Sequence, residues 1–169
     1  MADRKLEKEM YEMMKAKIKN PEKLNSSHFK IGKMVMYQYN PKYPDKPYDK
    51  SPLIIVLGRS RKYTLGLNFH WVPPVARAKL MKFILGKNKK NIEKGIPLEI
   101  SYDMIKGIIK GMGPCIRLYL NNRISRRGIS VEQENFKKII HLRAENFIGI
   151  SSKKAWALAN KDHRKKKKK

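Results

Sequence analysis

Three strand-like runs follow one another between residues 33 and 72, and the links between them leave little freedom in how they pair. In KMVMYQY (33–39), Met34, Met36 and Gln38 alternate with Val35, Tyr37 and Tyr39, so both faces carry apolar bulk. PLIIVLG (52–58) is apolar throughout, and YTLGLNFHWV (63–72) follows after the tight basic turn RSRK. Between the first two runs lies NPKYPDKPYDKSP (40–52), whose four prolines withdraw backbone donors and exclude regular structure. It reads as a hairpin-like or wandering loop. Three strands in immediate succession predict an antiparallel meander.

Helical patterns surround this core. Residues 3–19 place Leu6, Met10, Met13, Met14 and Ile18 on one face, with Asp3 at the N-cap and Asn20-Pro21 as the stop. Pro73-Pro74 breaks the third strand, and Pro74 suits the first turn of a helix over 74–85. That helix is expected to turn Val75, Ala78, Leu80, Met81 and Ile84 inward and Arg77, Lys79 and Lys82 outward, with Gly86 closing it. Ser101 caps a further helix through Tyr102, Ile105, Ile108 and Ile109, stopped by Gly111, Gly113 and Pro114. CIRLYL (115–120) fits a strand or a helix, while RRGISV (126–131) and KKIIHL (137–142) read as two short strands around a turn. Ser151-Ser152 cap a last helix over 153–161, anchored by Trp156.

The sum is an α+β fold: a small antiparallel, barrel-like sheet of about five strands with inserted helices, an N-terminal helix and a C-terminal helix. The expected organisation is a helix at 1–20, a single domain at 32–160 and a flexible lysine-rich tail at 161–169.

Charge narrows the partner. The 169 residues carry a formal charge of +26, and 41% of them are hydrophobic, enough for a core. Such a chain wants a polyanion, which favours nucleic acid over a metabolite or a membrane surface. No apolar run is long enough to cross a bilayer, MADRKLEKEM is not a signal peptide, and no membrane association is expected. The single Cys115 fits a reducing compartment, and one Cys with four scattered His gives no zinc-finger spacing, so neither metal nor cofactor is expected.

No acidic residue occurs between Asp49 and Glu93. That interval holds Arg59, Arg61, Lys62, Arg77, Lys79, Lys82, Lys87, Lys89 and Lys90, the first candidate phosphate contacts. Further candidates are Arg126 and Arg127, close to Arg117 and Arg123, then Lys153 and Lys154, and finally Lys165, Lys166 and Lys167 of the terminal run. No recognition-helix motif is present, so binding is expected to be largely independent of sequence. Tyr37, Tyr39, Phe69 and Trp71 could stack on bases, although strand aromatics more often belong to a core.

Catalytic patterns are weak. Asp45 and Asp49 sit four apart in the proline loop and Glu132-x-Glu134 in a turn, neither resembling the carboxylate pattern of a metal-dependent nuclease. His70 and His141 lack an evident nucleophile, and GMGP is no phosphate-cradling loop. The chain reads as non-enzymatic, with His70 a hydrogen-bonding corner residue at the end of its strand.

GLNFHWVPP followed by RAKLM resembles a signature of a family of small basic proteins of tailed bacteriophages. The preceding YQYNPKYPDKPYDKSPLIIVLG matches that family's tyrosine-rich strand and loop, and IIHLRAENFIGISSKKAWAL its final strand and Trp-containing helix. The likeness covers roughly 32–85 and 115–160, leaving out the N-terminal helix and the lysine run. Many members of that family are described as DNA end protector or virion-associated proteins of myovirus-like phages. The resemblance therefore implies a protein of the virion or of the infected cell's cytoplasm that binds linear double-stranded DNA or its ends, with other virion proteins as further partners. A structural neck, tail or capsid-interior protein whose basic face only meets packaged DNA is the alternative. A nuclease or an RNA-binding protein comes behind both.

Overall fold

The computed structural model describes residues 2–108 and 113–165. The expected α+β composition is present, and the strand runs fall close to where the sequence placed them. In chain order the strands are β1 (Glu22–Lys23), β2 (Met34–Tyr39), β3 (Tyr48–Asp49), β4 (Leu53–Arg59), β5 (Tyr63–Asn68), β6 (Ile116–Leu120), β7 (Ile124–Val131) and β8 (Phe147–Ile148). The helices are α1 (Ala2–Lys19), α2 (Pro74–Lys87), α3 (Lys89–Glu93), α4 (Tyr102–Ile108), α5 (Phe136–Ile139) and α6 (Ser152–Lys165).

Among the described residues six strands make one antiparallel sheet in the order β1-β7-β2-β4-β5-β6, while β3 pairs with β8 apart from it. β2, β4 and β5 form the expected meander, with Met34 opposite Ile55 and Ile55 opposite Leu67. β1 and β6 lie at the two edges and do not meet, so the sheet stays open and is not the barrel-like form expected.

Both faces of the central strands are covered, which is why they read as continuous apolar runs. Met34, Met36, Leu53, Ile55, Leu67, Ile129 and Val131 enter the main core together with Leu80, Met81 and Ile84 of α2, Ile105 of α4 and Ala155 and Ala159 of α6. The alternate residues Val35, Tyr37, Ile54, Val56 and Tyr119 form a second cluster with Leu24 and Phe29. Phe29 arrives on a 3-10 turn, Ser26–Phe29, started by Asn25, whose Oδ1 accepts the Ser27 N–H at 2.9 Å. Gly32 opens β2 at φ +84°, where a Cβ would run into the Leu98 carbonyl.

Several expectations are corrected. KKIIHL is not a strand: α5 and the turn after it bury Phe136, Ile139 and Ile140 and expose Lys137 and Lys138, a helical spacing. CIRLYL resolves to a strand, because β6 completes the sheet against β5. α2 runs through Gly86 to Lys87 and is closed instead by Asn88, whose side chain donates to the Ile84 and Glu99 carbonyls at 3.0 and 2.9 Å. Val75, expected inside, is 92% exposed, and Arg77, expected outside, is 1% exposed. α6 extends to Lys165, past the expected tail boundary at Lys161, and Ser151 Oγ accepts the Lys154 N–H in its first turn. In α1, Met14 is buried but Met13 and Ile18 stay exposed, and Asp3 lies inside the helix and not ahead of it. The side chains of Leu6 and Met10, like Ile109 and Gly111, lie outside the described residues.

Cys115 is fully buried in the main core, and burial pushes its thiol up to about 12. At pH 8 only roughly one thiol in ten thousand is then ionised. A thiol-disulfide reagent should therefore react at least about a hundredfold faster in urea than with the folded protein. Comparable rates in the two conditions would contradict this burial.

Candidate nucleic-acid interface

The corner after β5 organises the site. Asn68 Oδ1 accepts the His70 N–H at 2.9 Å, which folds the chain back on itself and drives Phe69, Trp71 and Val72 into the core. The His70 carbonyl then accepts Trp156 Nε1 of α6 at 2.9 Å and Arg77 Nη2 at 3.4 Å. Arg77 also donates through Nε to the Val72 carbonyl at 2.9 Å and through Nη1 to the Ile140 carbonyl at 3.0 Å. One guanidinium thus ties the corner, α2 and the end of α5 together.

The His70 side chain does have a carboxylate partner. Its Nδ1 lies 2.7 Å from Asp49 Oδ2, with both side chains 1% exposed. Asn68 Nδ2 donates to the same oxygen at 3.1 Å, and the Ser51 N–H donates to Oδ1 at 3.0 Å. Burial alone would raise the Asp49 carboxyl, but the His70 hydrogen bond and charge, with Asn68 and Ser51, outweigh it and hold the group below its usual range. Asn68 Nδ2 also reaches the Tyr119 hydroxyl at 3.1 Å. The proline loop is therefore no wandering segment. Asp49 and the β3–β8 pair clamp it over the sheet.

Clamping the loop leaves a cleft of about 610 Å³ between residues 39–49 and the edge strand β6. Lys42, Lys46, Lys62, Arg117 and Arg123 line it, and among the described residues Asp49 is the sole carboxylate in its wall, already engaged by His70. Aromatic rings line it too: Tyr39, Tyr43, Tyr48, Tyr63, Trp71 and Tyr119. The Arg117 guanidinium lies over Trp71 at 3.8 Å from the ring centroid, and Lys62 Nζ lies 5.4 Å from that of Tyr63. Asn121 fixes the rim by donating to the Ser60 and Arg61 carbonyls at 2.9 and 3.1 Å, which holds the β4–β5 turn against the β6–β7 junction.

A family model for the phage T4 terminal DNA protecting protein matches residues 2–163. The chain belongs to that family. No curated protein and no solved structure matches it significantly. The family match takes in α1 as well, which the signature segments left aside.

In this family member the sequence-predicted cations divide into separate groups. Lys62 reaches the cleft; Arg61 is exposed on the same turn, and the Arg59 guanidinium covers Phe29 at 4.6 Å. Lys79 and Lys82 are exposed on α2, Lys87 at its end, and Lys89 and Lys90 on α3, and none of them lines the cleft. Arg126 is exposed on β7, while Arg127 is tied to the Pro21 carbonyl through Nε and Nη2 at 3.3 and 3.0 Å. Lys153 and Lys154 are exposed in the first turn of α6. The Lys165 side chain, Lys166 and Lys167 lie outside the described residues. Arg77 is the correction, because its donors are spent on three carbonyls and it offers no surface to phosphate. Of the four aromatics named for stacking, Tyr37, Phe69 and Trp71 are core, Trp71 backing the cleft wall beneath Arg117, while the half-buried Tyr39 lines the cleft.

Sequence reasoning missed Lys42, Tyr43 and Lys46, and it named Arg117 and Arg123 without assigning them to a site. The available signal was the interleaving of Tyr, Pro and Lys in NPKYPDKPYDK, a composition suited to a rigid loop with an aromatic and basic surface.

Proposed function

We propose that the chain binds the ends of linear double-stranded phage DNA through largely sequence-independent contacts and shields them from exonucleases without catalysing a reaction. The observation that carries this is the aromatic and basic cleft, walled among the described residues by five cations and a single carboxylate that is hydrogen-bonded to His70. Membership in a terminal DNA protecting family supports the choice of DNA ends as target. The phosphate contacts belong to Lys62 and Arg123 in the cleft and Arg61 on its rim, with the exposed lysines of α2, α3 and α6 adding long-range attraction. His70 is sealed at 1% exposure, which suits a structural role better than a catalytic one. The protein would act in the infected cell or in the virion.

A gel-shift salt titration on unrelated duplexes tests the reading. Binding should be similar for all sequences and fall steeply with salt. The triple variant Arg61→Ala, Lys62→Ala and Arg123→Ala should flatten the log–log salt slope by about 3. Linear DNA should resist exonuclease in the presence of the protein, and a plasmid incubated with magnesium or manganese should stay intact. Salt-insensitive binding, or cleavage of the plasmid, would sink the proposal.

A further inference from the structure

We infer that the cleft accepts the unpaired terminal nucleotides of a DNA end, an inference that rests on the end-binding reading above. Bases inside a duplex are stacked on one another, and a blunt end opens only the outer face of its last pair, so both ring faces of a base are open to a protein only where a strand is unpaired or splayed. The cleft offers what such a segment needs. Tyr43 is 57% exposed, with Lys42 Nζ and Lys46 Nζ at 5.3 and 5.6 Å from its ring centroid, so a stacking surface and phosphate-binding charges come as one unit. Across the cleft Lys62 accompanies Tyr63 in the same way. The Arg117 guanidinium lies over the Trp71 ring, and its buried Nε–H has no acceptor among the described residues. A donor left unpaired in this way costs free energy, and a phosphate or base oxygen in the cleft would pair it once the guanidinium turns away from Trp71. At about 610 Å³ the space falls in the range of small-ligand sites, enough for roughly one or two nucleotides and too small for a duplex. Rings and charges come in adjacent pairs, Lys42 and Lys46 with Tyr43 and Lys62 with Tyr63, as a short stretch of single strand requires and a lone phosphate does not.

The experiment compares wild-type protein, Tyr43→Ala and Arg117→Met by fluorescence anisotropy on four DNAs with the same duplex. Three carry a 3′ overhang, a 5′ overhang or blunt ends, and the fourth is a covalently closed double-stranded circle with neither an end nor an unpaired base. Wild type should bind at least one overhang about tenfold or more tighter than the blunt duplex. Tyr43→Ala should lose most of that gain while binding the closed DNA unchanged, and Arg117→Met should do the same if its melting temperature shows it to be folded. Because Tyr43 is exposed, its substitution keeps the test decisive even if Arg117→Met unfolds. Equal wild-type affinity for blunt and overhanging ends overturns the inference but leaves end binding standing. Equal loss on every DNA in Tyr43→Ala also overturns it, by making the loop a general phosphate contact. Wild-type binding to the closed DNA as tight as to any ended DNA removes the end-binding reading itself, and the cleft inference with it.

Discussion

Replacing Arg77 by methionine should lower the melting temperature by roughly 6–12 °C, the largest loss expected from any single exposed-looking lysine or arginine of the chain. The reason is the guanidinium's position: it is 1% exposed and donates to the carbonyls of Val72, Ile140 and His70. Methionine fills much of the same space and removes the cost of burying a charge. It leaves the Val72 and Ile140 carbonyls without that donor, while His70 keeps Trp156. Each orphaned buried acceptor costs about 1–3 kcal/mol, and the charged donor made these bonds stronger than average, so a net loss of about 3 kcal/mol follows. Lysine should do little better, since one ammonium cannot span three carbonyls that a planar fork reaches. Lys79→Ala, two residues on and exposed, should change stability by less than about 0.5 kcal/mol. An Arg77→Met protein with unchanged thermal stability but weakened DNA binding would return Arg77 to the surface role the sequence suggested.

Asp49→Asn should cost about 2–4 kcal/mol at neutral pH, and the cost should shrink in acid. Both carboxylate oxygens accept: Oδ2 from His70 and Asn68, Oδ1 from Ser51. An amide puts an NH₂ against donors in either orientation, so the substitution is not neutral despite its shape. The sign of the pH effect follows from the direction of the shift. The folded-state carboxyl is held below its usual value, so wild type gains stability from it above the unfolded value of about 4 and loses that gain as pH falls through the folded value. Urea midpoints measured from pH 7 down to pH 3 should therefore converge for the two proteins. Parallel curves across that range would show that the Asp49 charge contributes nothing. The same substitution loosens the clamp on residues 40–49, so ligand affinity in the cleft should fall with it.

The two residues show where the sequence misleads. α2 buries Arg77, Leu80, Met81 and Ile84, a regular three- and four-residue spacing, and that face was visible in the letters. Hydropathy places Val75 inside and Arg77 outside, against the spacing, and the fold follows the spacing. Lys42 and Lys46 are hidden in the sequence for a different reason: four prolines make their loop read as irregular, and nothing local shows that it is anchored. Proline fixes the backbone without saying what the loop rests on. In KKIIHL the buried positions follow a helical period over too few residues for the pattern to be distinguished from a strand.

Sequence alone determined the meander of β2, β4 and β5, the corner at Asn68 to Pro74, the helices at both ends and the excess of positive charge. These depend on periodicity, proline and glycine placement and composition, all of which are local. Only the tertiary structure decided that Asp49 meets His70, that Arg77 is a tie inside the core, and that residues 39–49, the β4–β5 turn and β6 enclose one cleft. The worth of a charge depends on what desolvates and pairs with it, and those partners come from elements distant in the chain that meet only once the sheet has formed.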